Sequence, residues 1–261
     1  RSALEQLAFS DTWGKQEDSF LSMIYERIKL INNLMSNDAT IIIHCDTRLN
    51  YLLRVVLNEV FGMNNFINEI IWKRASGGKN VTKNIPKNND HLLWYAKSQE
   101  YNVYNVYGSL SKEQIKSFNQ DDGDGRGKYQ TQPLINPGKR PTLQFDYKDN
   151  DGKIWKHPPN GWRIKEENIR KLENDNRLVK KGSLRFKVYL NEKIDKGVMF
   201  PNNWTDLTGS TVGYSGENLN YPTQKPEKLL ERIIKMTSKE NDLIADFFCG
   251  SGTSMAIAEK L

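Results

Sequence analysis

Residues 243–248, Leu-Ile-Ala-Asp-Phe-Phe, run directly into Cys249-Gly-Ser-Gly-Thr253 and then into the helix-forming stretch 254–261. An apolar run, a tight Gly-rich turn and a helix, in that order, suit the C-terminal edge of an open α/β sheet, where such turns cradle ligands. Gly250 and Gly252 let the backbone turn sharply and approach a ligand without a Cβ in the way. A phosphate-binding P-loop is excluded, because it needs Lys-Ser/Thr after its last glycine and Thr253-Ser254 stand there instead. A dinucleotide fingerprint needs a third glycine where Ala256 stands, and its acidic partner about 20 residues on falls beyond Leu261. Taken alone, the turn also fits a purely structural role.

The remaining chain supplies the elements such a turn needs. Residues 19–35 place Phe20, Ile24, Ile28, Ile31 and Met35 on one helical stripe. Residues 39–45 form a short β-branched apolar run of the kind buried on both faces of a parallel sheet. Residues 48–61 read as a second helix with Leu52, Val55, Val56 and Val60 inward and Gly62 as its stop. Residues 66–72 and 91–96 read as strands. Pro226 opens a further helix with Leu229, Leu230, Ile233 and Ile234 buried, and 243–248 read as another strand. Alternating helix and strand predicts an α/β class. Between these parts lies a stretch dense in turn residues, including 121–126, Asn136-Pro-Gly138 and His157-Pro-Pro-Asn-Gly161. It predicts short strands and long loops, with one helix at 165–174. Three regions result: a first core part at 1–75, an insert at 76–215 and a second core part at 216–261.

Charge separates nearly the same regions, with the first boundary at residue 71. The net charge is −3 over residues 1–71, +10 over 72–215 and −1 over 216–261, so the chain's total of +6 resides in the middle. A basic insert on a neutral-to-acidic core suits a polyanion, although a Lys-rich solvated surface gives the same count. Cys45 and Cys249 form no Cys-x-x-Cys pair, so no zinc site or disulfide framework is expected. No apolar stretch approaches the roughly 20 residues of a membrane helix, and residues 1–7 lack a signal-peptide layout, so a cytoplasmic location is expected.

At this point the residues resemble a family. Asp246-Phe-Phe-Cys-Gly-Ser-Gly-Thr253 looks like the S-adenosylmethionine-binding motif of amino-methylating DNA methyltransferases. Tyr221-Pro-Thr-Gln-Lys-Pro226 resembles the motif that precedes it in these enzymes. Phe9-Ser-Asp-Thr-Trp13, Met23-Ile-Tyr25, His44-Cys45-Asp46, Asn68-Glu-Ile-Ile-Trp-Lys-Arg74 and His91-Leu-Leu-Trp-Tyr-Ala-Lys97 are similar to the core stretches between catalytic and recognition segments. The order matches the β-group, and the modification subunits of type III restriction systems look most alike. The resemblance implies a Rossmann-like methyltransferase core, a largely parallel sheet with flanking helices, carrying a loop- and strand-rich target-recognition insert. It implies methyl transfer from S-adenosylmethionine to adenine N6, with cytosine N4 second, and no metal. Asp246 is then expected to meet the cofactor's amino group, with Phe247 and Phe248 at the pocket. Gly250, Gly252 and Thr253 shape its floor, and Thr223, Gln224, Lys225 and Pro226 meet the carboxylate end. Double-stranded DNA is the expected partner, through Lys73, Arg74, Lys79, Arg126, Lys139, Arg140 and Arg163. A homodimer and a restriction subunit are further candidate partners.

One departure matters. The family's catalytic Asp/Asn/Ser-Pro-Pro-aromatic motif is absent, so no catalytic residue is assigned, and the motif is expected upstream of Arg1. His157-Pro-Pro-Asn160 is no substitute, since His replaces the first residue and Asn160 carries no ring to stack on a base; it reads as a turn. His44-Cys45-Asp46 alternates faces along a strand and cannot act as a triad. Asp121, Asp122 and Asp124 lack the Glu that closes a calcium loop and read as a mobile acidic loop. Two alternatives stay open: a non-catalytic DNA-binding relative, and methylation of RNA.

Overall fold

The computed structural model describes residues 17–75, 77, 85–209 and 216–261. It divides into two compact units, one formed by residues 1–106 with 200–261 and the other by residues 107–199.

The first unit is built on a four-stranded sheet: β1 (Thr40–Cys45), β2 (Phe66–Lys73), β3 (Asn89–Ala96) and, late in the chain, Asn203–Trp204, in the spatial order β1, β3, β2, Asn203–Trp204. β3 is antiparallel to both β1 and β2, and Asn203–Trp204 pairs with β2 in parallel. The expected largely parallel sheet is therefore corrected in its ladders, two of the three being antiparallel. Three of the four strands still point the same way, because β1 and β2 both oppose β3; one reversed strand has been inserted between co-directional ones. β3 is the strand buried on both faces, from Leu92 through Ala96, whereas β1 is only half-buried at the sheet's edge.

Alternation along these strands makes two cores. On one face α1 (Glu17–Leu34) and α2 (Asn50–Phe61) cover Cys45, Leu93 and Tyr95 with Ile28, Leu53, Leu57 and Phe61. The inward set of α2 thus runs through Leu53, Leu57 and Phe61, at i, i+4, i+8. Val56 and Val60 flank that stripe, and Val55, expected inward, is exposed. On the other face lie Ile70, Trp72, Leu92, Trp94 and Trp204, covered by Leu229 and Leu230 of the helix Glu227–Thr237.

That helix is tied to the sheet by Arg232. Its guanidinium holds Asp206 at 2.5 and 3.0 Å and lies 3.5 Å from the Phe200 ring centroid. The last helix, Thr253–Lys260, packs on it, and Lys260 Nζ reaches Glu227 at 2.9 Å. Residues 243–248, expected as a strand, join no ladder among the described residues, and Leu243 is 96% exposed. The apolar run is there, but it pairs with none of the described strands.

The second unit centres on Tyr129–Pro133, Leu178–Lys181 and Ser183–Tyr189, antiparallel, with helix Glu166–Asn174 packed against them. A polar network is embedded there. Asp149 accepts from the Trp155 indole at 2.9 Å and from Lys153 N at 2.8 Å, while Lys180 Nζ lies 2.6 Å from Glu173, which also accepts from the Tyr147 hydroxyl. The acidic loop is anchored, which corrects the expected mobility. Asp122 pairs with Lys187, and Asp124 accepts from Arg126 at 2.8 Å and from Tyr189 at 3.0 Å. Among the described residues no helix is long and apolar enough to cross a membrane.

Candidate functional site

The Gly-rich turn forms as its composition demands. Asp246 Oδ1 accepts from Phe248 N at 3.0 Å and starts the bend, and Gly252 N donates to Cys249 O at 2.7 Å. Gly250 and Gly252 have φ of +52° and +79°, a region in which a side chain costs about 1–2 kcal/mol. Ser251 and Thr253 share a hydroxyl contact of 2.9 Å, and Thr253 is buried as the first residue of the last helix. Phe247 and Phe248 leave half of their rings exposed, and Asp246 is half-buried with its Oδ2 uncommitted among the described residues.

The stretch Tyr221–Pro226 makes a second bend. Gln224 N donates to Tyr221 O at 3.2 Å, closing a four-residue turn with Pro222 and Thr223 at its centre. Thr223 has φ of +70°, a conformation that a β-branched residue adopts only under constraint. The constraint is visible. Gln224 Nε2 donates to Glu217 O at 2.6 Å, its Oε1 accepts from Leu219 N at 2.9 Å, and Lys225 Nζ donates to Thr223 O at 2.9 Å. Pro226 is buried and caps the helix that follows.

The two bends meet. A Cβ on Gly250 would stand 3.4 Å from the Tyr221 ring, so the tyrosine lies against the bare backbone of the Gly-rich turn. Their surroundings fit an amino-acid nucleoside: an uncommitted carboxylate oxygen, two partly bare aromatic faces, and a floor without side chains.

A third group lies at the end of β1 and β2 on the face covered by Glu227–Thr237. Asp90, 4% exposed, accepts from His44 at 3.0 Å and from Arg74 Nε at 3.1–3.2 Å. Burial pulls the Asp90 pKa upward, but the bonds and charges of His44 and Arg74 outweigh it and hold it below the usual carboxylate value. Burial depresses the Lys225 ammonium, and Arg74 adds to this while Asp90 opposes it. Cys45, on the opposite face from His44, has its thiol pushed up to about 12 by burial and is inert. The structural reading of His44-Cys45-Asp46 therefore stands for the cysteine, while His44 turns away from both neighbours to Asp90.

The chain matches the model of the DNA methylase family over residues 7–261. It belongs to that family. It is 29% identical over 255 residues to the type II methyltransferase M.EcaI of Enterobacter cloacae, covering 94% of this chain and 53% of that protein. It is 27% identical over 269 residues to the StyLTI Mod subunit of a type III restriction-modification enzyme from Salmonella typhimurium, covering 95% and 40%. The Mod subunit of the probable Haemophilus influenzae type III enzyme HindVI is 24% identical over 315 residues, covering 93% and 41%. The chain thus spans about half, or less, of the length of these relatives.

The structure brings the methylase's two predicted cofactor stretches into contact at Tyr221 and Gly250, and the described basic candidates divide between the two units. Lys73 ends β2, half-buried, and Arg74 follows it, exposed. Lys139, Arg140 and Arg163 are exposed on loops stitched around Gly161 in the second unit, where Arg140 N donates to Asn160 O and Arg163 N to Leu134 O. Arg126 is engaged by Asp124 and by Asp175. Lys79 lies outside the described residues. Asp90 was not singled out from the sequence, and Tyr221 entered only as the opening of its motif, with no role assigned. Their only signal there was position: a carboxylate at the head of the most apolar strand, and an aromatic opening the Pro-bracketed bend.

Proposed function

We propose that this chain is the cofactor-binding and target-recognition part of an S-adenosylmethionine-dependent DNA methyltransferase of a restriction-modification system, acting on adenine N6, with cytosine N4 second. The observation that carries the reading is the Tyr221 ring against Gly250, which puts the two motif stretches in contact. When bound, S-adenosylmethionine supplies a methyl group already activated by its sulfonium, so the protein's work is alignment. Asp246 would direct its free oxygen to the cofactor's ammonium. Phe247 and Phe248 would flank the purine, and Gly250, Gly252 and Thr253 would form the floor. Gln224 acts as a brace, since both ends of its amide hold residues 217 and 219. Thr223, Lys225 and Pro226 would close the carboxylate end.

The Rossmann-like core belongs to this proposal as well. Its support is the shared direction of β1, β2 and Asn203–Trp204, at whose C-terminal ends ligands bind in open α/β sheets. Residues 1–106 with 200–261 would build the core, a wider part than the 1–75 and 216–261 expected from the sequence, and 107–199 would read double-stranded DNA. Lys73, Arg74, Lys79, Lys139, Arg140 and Arg163 would meet phosphates or base edges. Arg126 could join them only by leaving its two carboxylates. The amine-activating Asp/Asn/Ser-Pro-Pro-aromatic motif would precede Arg1 in a longer protein, and dimerisation and a restriction subunit remain part of the same reading. Incubating the full-length protein with methyl-labelled S-adenosylmethionine and duplex DNA or RNA, then separating the nucleosides, tests it. Label in N6-methyladenine from DNA is expected. Label only in RNA, or in neither, contradicts it.

A further inference from the structure

Asp90 and His44 have no part in the scheme above, and Arg74 enters it only as a DNA contact, yet the three are built as a binding device. Asp90 is almost wholly buried and anchors two side chains from different parts of the chain, His44 of β1 and Arg74 just after β2. Arg74 leans on it through Nε alone. Among the described residues its two Nη groups have no partner, and the side chain is 49% exposed. A guanidinium held by Nε over a buried carboxylate has its fork fixed in direction, which is the arrangement that grips a two-oxygen anion side-on.

The direction is set by the fold. Strand register puts Asp90 opposite Trp72 and beside Leu92, on the face covered by Glu227–Thr237. The Tyr221–Pro226 bend leads into that same helix, and the ammonium of Lys225 in the bend feels the charges of both Asp90 and Arg74. The His44 ring stands edge-on to Trp72, with centroids 5.9 Å apart, which limits its swing.

We propose that Asp90 is a positioning residue that aims Arg74, with His44 beside it, to bind the carboxylate of the methyl donor's amino-acid part. The inference rests on the donor-binding reading above and goes beyond it. It moves Arg74 from DNA contact to cofactor recognition and gives Asp90 and His44 a role that no motif assigned.

The test is calorimetric and uses the full-length protein with two ligands. S-adenosylhomocysteine carries the amino-acid carboxylate; 5′-methylthioadenosine has the same nucleoside without it. For Arg74→Gln, S-adenosylhomocysteine binding is expected to weaken at least tenfold while methylthioadenosine stays within twofold of wild type. Asp90→Asn should show the same split. Arg74→Lys should not rescue, because an ammonium cannot both rest on Asp90 and present a fork. Equal weakening of both ligands would mean a merely structural cluster and overturn the proposal. So would unchanged S-adenosylhomocysteine binding with weakened duplex binding, which would assign the fork to a DNA phosphate. If Asp90→Asn does not fold, the half-exposed Arg74→Gln carries the test. Wild-type protein that binds neither ligand would sink the donor reading itself, a result distinct from loss of the split.

Discussion

At the scale of single residues, backbone geometry decides which positions tolerate change. Gly161 has φ of +83°, and a Cβ there would stand 2.7 Å from Arg140 O and 3.0 Å from Leu143 O, both backbone atoms. Gly161→Ala is therefore expected to destabilise the second unit by about 3 kcal/mol or more, combining αL strain with a clash that backbone cannot relieve. Chemical denaturation followed through Trp155 and Trp162 fluorescence checks it. Thr223 presents the opposite case. Glycine fits its φ of +70° without strain, so Thr223→Gly is expected to hold or raise the melting temperature while weakening donor binding; a lower melting temperature would show that the conformation is not strained. The Gly-x-Gly turn was legible in the sequence because only glycine fits such angles. The left-handed Thr223 was not, since its neighbours impose the conformation and its own residue type argues against it.

At the scale of elements, the longer helices and β1 to β3 were legible in the sequence, whereas the short helices Lys112–Lys116 and Leu190–Lys196 were not, and the errors have a physical source. In α2 several apolar residues compete for the inward face, and sequence alone does not say which set meets the sheet. Of two parallel i, i+4, i+8 lines, Leu53, Leu57 and Phe61 carry the larger side chains and face the sheet, while Leu52, Val56 and Val60 are half-buried beside them. Leu57→Ala is accordingly expected to cost 2–5 kcal/mol, and Val55→Ala less than about 0.5 kcal/mol, as measured by urea unfolding. The stretch 243–248 shows the limit of composition. Apolar residues make a strand only beside a partner edge, and among the described residues none pairs with it. Antiparallel insertion of β3 was equally invisible, because alternation fixes which face a residue takes and not the direction of its neighbour.

At the scale of the whole molecule, charge carries the predictions. In the second unit the Trp155 indole, with help from Lys153 and Lys180, holds Asp149 down at about 2. Glu173 is also held below its usual value, the bonds from Lys180, Tyr147 and Asn150 outweighing its burial. Both carboxylates bind protons more weakly folded than unfolded, so their contribution is complete above the usual carboxylate range. For Asp149 it fades as the pH falls from about 4 towards 2. Trp155 fluorescence should report that loss in an acid titration, and Asp149→Asn should flatten it. The net charge of +10 over residues 72–215 predicts that duplex binding by the full-length protein weakens steeply between 50 and 200 mM salt. A flat salt dependence would leave the basic excess as mere surface. Charge count pointed to a polyanion from sequence alone, but it did not separate Arg126, locked between carboxylates, from Arg74, whose fork is free; only the packing does.

The central claim is that Asp246 and the Gly250 turn, roofed by Tyr221, hold the methyl donor. Its most direct test is equilibrium binding of S-adenosylhomocysteine to the full-length protein, wild type beside Asp246→Ala. Saturable binding of one ligand per chain, lost by at least a hundredfold in the variant with the melting temperature of the free protein unchanged, is the predicted result. Equal affinity in both proteins, or none in the wild type, would contradict it.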